Sequence, residues 1–163
     1  MLVWLKGLDN IIAQIYKNIA ALGLMIGILI VGINVCVRYI AGFYPSIGGL
    51  TWAEEVARYC FLWSAFFAAA YGFKRGVHIA VTLFIEKLPT KFAKICRIFI
   101  CMINVVFLSF MFCASLMVCY LNYEIGYMSE ALHNVPLWVF LLCLPIAFCG
   151  ATYYSFQKLY ENF

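Results

Sequence analysis

Charged residues are scarce in this chain of 163 residues, where Asp, Glu, Lys and Arg together make up only 11%. Soluble domains typically contain about 25% charged residues. Here 67% of the residues are hydrophobic, and a soluble fold of this length has too little interior to hide them. The composition excludes a nucleic-acid-binding module, a disordered tail and most small soluble enzymes. It indicates an integral membrane protein.

Patterns that support catalysis or metal binding are also lacking. The two histidines, His78 and His133, fall on opposite sides of the membrane in the predicted topology, so they cannot share one haem or metal ion. No two of the eight cysteines have C-x-x-C spacing, which leaves a thiol-redox or zinc site without support. A single Glu130-x-x-His133 has the spacing of a di-iron motif, but that site needs two such pairs. We therefore predict that the chain is not an enzyme and binds no cofactor.

Long uncharged runs are what the sequence does contain. A helix needs about 20 apolar residues to cross the ~30 Å hydrocarbon core of a membrane. Residues 18–37, 98–123 and 135–157 meet this requirement. The run over residues 59–73 is shorter and reaches crossing length only if its helix begins near Trp52.

These runs predict the fold class and the domain organisation. We expect an all-α integral membrane protein that forms a single four-helix membrane domain over residues 1–163. The last span should be kinked at Pro145, and the N-terminal residues 1–16 have helical apolar spacing that leads into the first span. The predicted transmembrane helices cover approximately residues 17–39, 52–73, 97–123 and 135–157.

Lys and Arg are unevenly distributed between the predicted loops, which sets the orientation. Nine of the eleven fall on one side, and only Arg38 and Arg58 fall on the other. Because short cytoplasmic loops carry the positive charge, both termini are predicted to be cytoplasmic. The apolar segment 77–88 ends before Pro89 and is too short to cross, so we predict a short interfacial amphipathic helix between spans 2 and 3.

Basic residues and one histidine gather at the predicted cytoplasmic surface, where they would contact anionic lipid headgroups. The alternative is that they act only as a topology signal. The residues are Lys74, Arg75, His78, Lys87, Lys91, Lys94 and Arg97.

A charge cluster is predicted where the external ends of the first two spans meet. It comprises Asn34, Arg38, Glu54, Glu55 and Arg58, in which two arginines balance two glutamates. Helical spacing favours pairing of Arg58 with Glu54 or Glu55. One interpretation is a neutral clamp that Arg58→Ala would destabilise. The others are a coupling-ion or proton site at Glu55 and a contact with a partner subunit.

The rest of the second span alternates bulky and small side chains, which is typical of helix packing. The bulky residues are Trp52, Tyr59 and Trp63, and the small residues, spaced for close helix approach, are Ala65, Ala69 and Gly72. The pattern predicts that another helix packs against this span.

Several motifs resemble the small membrane subunit of tripartite ATP-independent periplasmic (TRAP) transporters. They are Asn34-Val35-Cys36-Val37-Arg38-Tyr39, Thr51-Trp52-Ala53-Glu54-Glu55-Val56-Ala57-Arg58-Tyr59 with Trp63, Gly76-Val77-His78-Ile79-Ala80-Val81 and Leu88-Pro89, with a weaker match at Val135-Pro136-Leu137-Trp138 and Pro145.

The resemblance implies a bacterial inner-membrane scaffold in an importer of small organic anions that contain a carboxylate. In that family, a large multi-pass membrane subunit carries the substrate and coupling-ion sites, and a periplasmic binding protein delivers the solute. A cation gradient, usually of sodium, drives transport. The expected partners are these two proteins and membrane lipids. The alternative is a self-sufficient ion-coupled transporter that works as a homodimer through Glu54 or Glu55.

Overall fold

The computed structural model describes residues 2–42, 50–75, 89–129, 132 and 135–162, and it describes only the backbone of residues 2–8, 51, 90–91 and 161–162. These residues form α1 (Leu2–Ala41), α2 (Thr51–Arg75), α3 (Thr90–Ile125), α4 (Leu137–Leu141) and α5 (Cys143–Asn162). The predicted interfacial helix over residues 77–88, including His78 and Lys87, lies outside the described residues.

Among the described residues, three helical segments are long and apolar enough to cross a membrane. They are Asp9–Ala41, Phe92–Ile125 and Leu137–Tyr160, the last of which includes both α4 and α5. These segments correspond to the first, third and fourth predicted spans, so the all-helical membrane fold class agrees with the prediction. Helix α2 has 25 residues, five of them charged. The second span and the orientation of the termini stay predictions.

Helix α1 is continuous from Leu2 to Ala41, so the predicted N-terminal helix leads directly into the first span. At 1.5 Å per residue its 40 residues extend about 60 Å, twice the ~30 Å hydrocarbon core. The helix therefore extends beyond the length that a membrane span requires.

A tight turn reverses the chain after α3. Gly126 adopts the left-handed conformation with φ 71°, which glycine reaches without steric cost, and its amide donates to the carbonyl of Asn122 at 3.2 Å. Backbone bonds from Ser129 N–H to Val135 O (3.0 Å) and from Leu137 N–H to Tyr127 O (2.9 Å) then close the connection. The turn brings α4 back alongside α3.

The last helical segment is interrupted between α4 and α5, close to Pro145, where the sequence predicted a kink. The proline has no N–H, and its ring clashes with the carbonyl four residues earlier, at Leu141. Helix α4 ends at that residue, and α5 begins at Cys143.

Helix α2 packs against both α1 and α5, and α3 packs against α5. The core consists mostly of small residues, which lets the helix backbones approach closely. Ala70 of α2 meets Ala147 and Ala151 of α5 in one cluster, and Phe67 of α2 contacts Ala20 of α1 in a second.

The outward faces of α1 and α3 carry large apolar side chains. On α3, Val106 is 69% exposed and Phe110 is 66% exposed, and on α1, Leu29 is 60% exposed. Exposed apolar surface of this extent marks contact with lipid or with another membrane protein.

Candidate functional site: the faces of helix α2

An exposed ion pair joins the C-terminal end of α1 to the N-terminal end of α2. Arg38 Nη1 lies 3.7 Å from Glu54 Oε1, and the two side chains are 80% and 62% exposed. An exposed pair contributes at most about 1 kcal/mol in water. The pair therefore connects the two helices without dominating their stability.

The remainder of the predicted charge cluster is arranged differently from the expectation. The hydroxyl of Tyr59 donates to Glu55 Oε1 at 2.9 Å. Arg58 is exposed and forms no ion pair with the described residues, so the pairing with Glu54 or Glu55 that helical spacing favours is not formed. Glu54 instead forms its ion pair with Arg38 of α1. Asn34 is buried at 9% exposure on α1.

Two of the bulky residues of α2, Tyr59 and Trp63, pack against α4. The rings of Tyr59 and Phe140 stack with their centroids 3.9 Å apart. The indole N–H of Trp63 donates to the backbone carbonyl of Phe140 at 2.9 Å. Trp52, nearer the start of α2, is 44% exposed. These contacts fix α4 on the middle of α2.

Among the residues that the structure describes, the small residues of α2 do not make the predicted close approach to another helix. Ala65 and Ala69 are exposed, because α1 and α5 occupy other faces of the helix. A methyl group added at Gly72 would meet nothing within 4 Å. The close approach to α1 occurs at a different position, where a methyl group on Gly23 would lie 3.0 Å from the carbonyl oxygen of Cys60.

A buried polar junction, which sequence reasoning missed, joins α1, α2 and α5. Lys74 Nζ lies 3.0 Å from Asp9 Oδ2 and donates to the Asp9 backbone carbonyl at 2.9 Å and to Asn10 Oδ1 at 3.0 Å. It also lies 5.6 Å from the ring centroid of Tyr154. Asp9 is only 9% exposed and Tyr154 only 1%. The signal in the sequence was Asp9 itself, an acidic residue among apolar residues at helical spacing.

Two further hydrogen bonds cross between helices and involve backbone carbonyls. Tyr16 of α1 donates to Ile146 O of α5 at 3.0 Å, and Ser64 of α2 donates to Ala20 O of α1 at 2.7 Å. Such bonds between membrane helices contribute about 0.6 kcal/mol on average. Together with the Lys74 junction they define one relative placement of α1, α2 and α5.

The residues predicted to contact lipid headgroups lie in different environments. Lys74 is directed to protein partners, whereas Arg75, Lys94 and Arg97 are exposed. The side chain of Lys91 is not described. Contact of these residues with lipid stays a prediction.

Two grooves flank the contact between α1 and α2. An apolar groove of about 430 Å³ lies between α1, α2 and α4 and is lined by residues such as Ile19, Cys60 and Val139. A more polar groove of about 330 Å³ lies near the other end of the two helices, between Gln14 and Arg75. No group of three or more metal-ligating side chains occurs in the part of the chain that the structure describes.

Long apolar helices joined through small residues define an α-helical membrane protein, and sequence comparison identifies its family. Residues 27–163 match the family described as tripartite ATP-independent periplasmic transporters, DctQ component, and the chain belongs to it. It is therefore a TRAP small permease component, which confirms the resemblance drawn from its motifs. This family is a transporter component and not an enzyme family.

Two relatives extend the comparison. The chain is 39% identical over 61 residues to a putative TRAP transporter small permease protein of Haemophilus influenzae, a match that covers 37% of this chain and 35% of that protein. It is 25% identical over 137 residues to the isethionate TRAP transporter permease protein DctMQ of Oleidesulfovibrio alaskensis, covering 83% of this chain and 21% of that protein. The matched regions thus span about a third and a fifth of these relatives.

Proposed function

We propose that the chain is a scaffold subunit of a TRAP-type secondary transporter in the bacterial inner membrane. In this proposal, four spans form a single membrane domain with both termini in the cytoplasm, and α2 is the second span. A large multi-pass subunit carries the solute and coupling-ion sites. The small subunit supports it without binding the solute.

The observation that carries this proposal is the outward face of α2. Arg58, Ala65 and Ala69 are exposed there, and Arg58 lacks an ion-pair partner among the described residues. A charged side chain within a span is costly in lipid, and small residues permit close approach of another helix. The large subunit would place a helix on this face and provide an acceptor for the arginine. The name DctMQ, which one relative carries, agrees with joint action of two components.

The remaining expectations belong to the same proposal. A periplasmic binding protein delivers a small organic anion with a carboxylate, and a cation gradient, expected to be of sodium, drives import through the large subunit. The isethionate in the name of the Oleidesulfovibrio alaskensis relative is an organic anion with a sulfonate group, so it supports the organic anion and not the carboxylate. The homodimeric alternative receives no support from the geometry, because Glu54 is exposed beside Arg38 and Tyr59 donates to Glu55.

Co-purification tests the interface directly. A tagged chain expressed with its large subunit should retain that subunit in mild detergent, and Ala69→Trp should reduce the retained fraction at least tenfold. Arg58→Ala should also reduce it. Leu24→Trp is the matched control, since Leu24 is an exposed apolar residue of α1. Equal retention by Ala69→Trp, Leu24→Trp and the unmodified chain would refute the assignment of this face.

A further inference from the structure

The polar groove between α1 and α2 contains one uncompensated cation. Lys74 lines this groove, but its charge is balanced by Asp9 at 3.0 Å. Arg75, on the neighbouring position, is exposed and has no carboxylate within ion-pair distance among the described residues. The groove therefore has a net positive charge that the described protein does not neutralise.

The guanidinium of Arg75 is held in place by a neutral partner. Its Nε–H donates to the hydroxyl of Tyr71 at 2.9 Å, and its Cζ lies 5.4 Å from the centroid of that ring. This leaves the terminal N–H groups of the guanidinium available. The terminal edge of a planar guanidinium, formed by its two Nη groups, is suited to paired hydrogen bonds with phosphate oxygens. Asn10 and Gln14 line the other wall of the groove and add polar side chains.

An apolar stripe continues from this groove along α1. Spacings of three and four residues place one series on a single helix face, beginning with Asn10, Gln14 and Lys17 and continuing with apolar residues. The apolar part is exposed and consists of Ala21, Leu24, Ile28, Val31 and Val35. It extends about 21 Å, more than half of the ~30 Å hydrocarbon core and thus the depth of one leaflet. This surface is complementary to a phospholipid. Its cationic and polar end matches the phosphate headgroup, and its apolar stripe matches the acyl chains.

We propose that this groove binds an anionic phospholipid, whose phosphate contacts Arg75 and whose acyl chains lie along the α1 stripe. The inference rests on the proposed placement of α1 as a membrane span with this end at the cytoplasmic surface. It deepens the headgroup contact expected for Arg75 by giving it a defined pocket and a preferred class of lipid.

Native mass spectrometry of the full chain, purified from membranes with any subunits that remain bound, tests this site. Phosphatidylglycerol and phosphatidylcholine are titrated separately, and the fraction of protein that retains lipid is measured. Phosphatidylglycerol should be retained at least fivefold more strongly. Arg75→Gln should lower its retention about fivefold, equivalent to about 1 kcal/mol, the contribution of one basic residue near an anionic surface. Arg75→Lys should retain most of it.

Arg97→Gln is the matched control, because Arg97 is an exposed basic residue on α3 outside the groove. Equal losses in Arg75→Gln and Arg97→Gln, or no preference for phosphatidylglycerol, would overturn the proposal. Displacement of the lipid by millimolar glycerol 3-phosphate would assign the groove to a soluble phosphate and also overturn it. Lipid retention requires neither solute nor large subunit. A chain that loses lipid with Arg75→Gln but does not co-purify with a large subunit would therefore refute only the proposed function.

Discussion

Replacing Lys74 by methionine should show how much the polar junction between α1, α2 and α5 contributes to the free energy of unfolding. The substitution keeps the length of the side chain but leaves the carboxylate of Asp9 buried without its cation. At the observed 3.0 Å, two unit charges attract by about 5 kcal/mol at an effective dielectric constant of 20, before desolvation is subtracted. Removing one member of a buried pair typically costs about 3–5 kcal/mol. Because Lys74 remains 22% exposed, we expect the lower end, about 3 kcal/mol.

A double-mutant cycle separates the charge from the packing. Asp9→Asn with Lys74→Met leaves no buried charge, so the double variant should be more stable than Lys74→Met alone by about 2 kcal/mol. The free energy of unfolding is measured by SDS titration of the protein in mixed micelles. Lys94→Met is the control, because Lys94 is exposed on α3, and it should stay within about 0.5 kcal/mol of the unmodified chain.

Two outcomes would refute this reasoning. The first is equal stability of Lys74→Met and Lys94→Met, which would mean that the ion pair at 3.0 Å contributes nothing. The second is that the two single losses add in the double variant. Additivity would show that Asp9 and Lys74 act independently and that the junction is not a coupled pair.

Three other substitutions probe the packing of the helices. Gly150→Ala should lower stability by about 1–3 kcal/mol because the added methyl group would overlap the ring of Tyr16. Gly32→Ala should not lower it, because a methyl group there would meet nothing within 4 Å. Unfolding in SDS compares the two variants. Trp63→Phe should cost about 1 kcal/mol in the same assay through loss of the indole hydrogen bond to α4. Arg58→Ala should change stability by less than about 0.5 kcal/mol, contrary to the clamp interpretation, because the residue is exposed and forms no ion pair with the described residues.

The long apolar helices were largely predictable because they depend on local composition. Uncharged runs predicted the three long apolar helices, and the missing N–H of Pro145 predicted the break before α5. Family membership was visible in motifs around Asn34 and Glu54. These signals are contained in short stretches of sequence and need no knowledge of which helices touch.

The contacts between helices were less predictable because they depend on rotation about each helix axis. Ala65 and Ala69 have the spacing of a packing face, yet α1 and α5 occupy other faces of α2. Asp9 and Lys74 are separated by 65 residues, and Lys74 was interpreted only as part of the basic cytoplasmic surface. Gly150 gave no signal that its missing side chain makes room for Tyr16.

Transport by reconstituted vesicles tests the central claim most directly. Proteoliposomes would contain the chain alone, the large subunit alone or both, with the binding protein, labelled solute and an imposed sodium gradient supplied to each. A scaffold role predicts gradient-dependent uptake only when both membrane subunits are present. Uptake of the same size by vesicles that contain this chain alone would contradict the account, because a scaffold subunit carries no solute site.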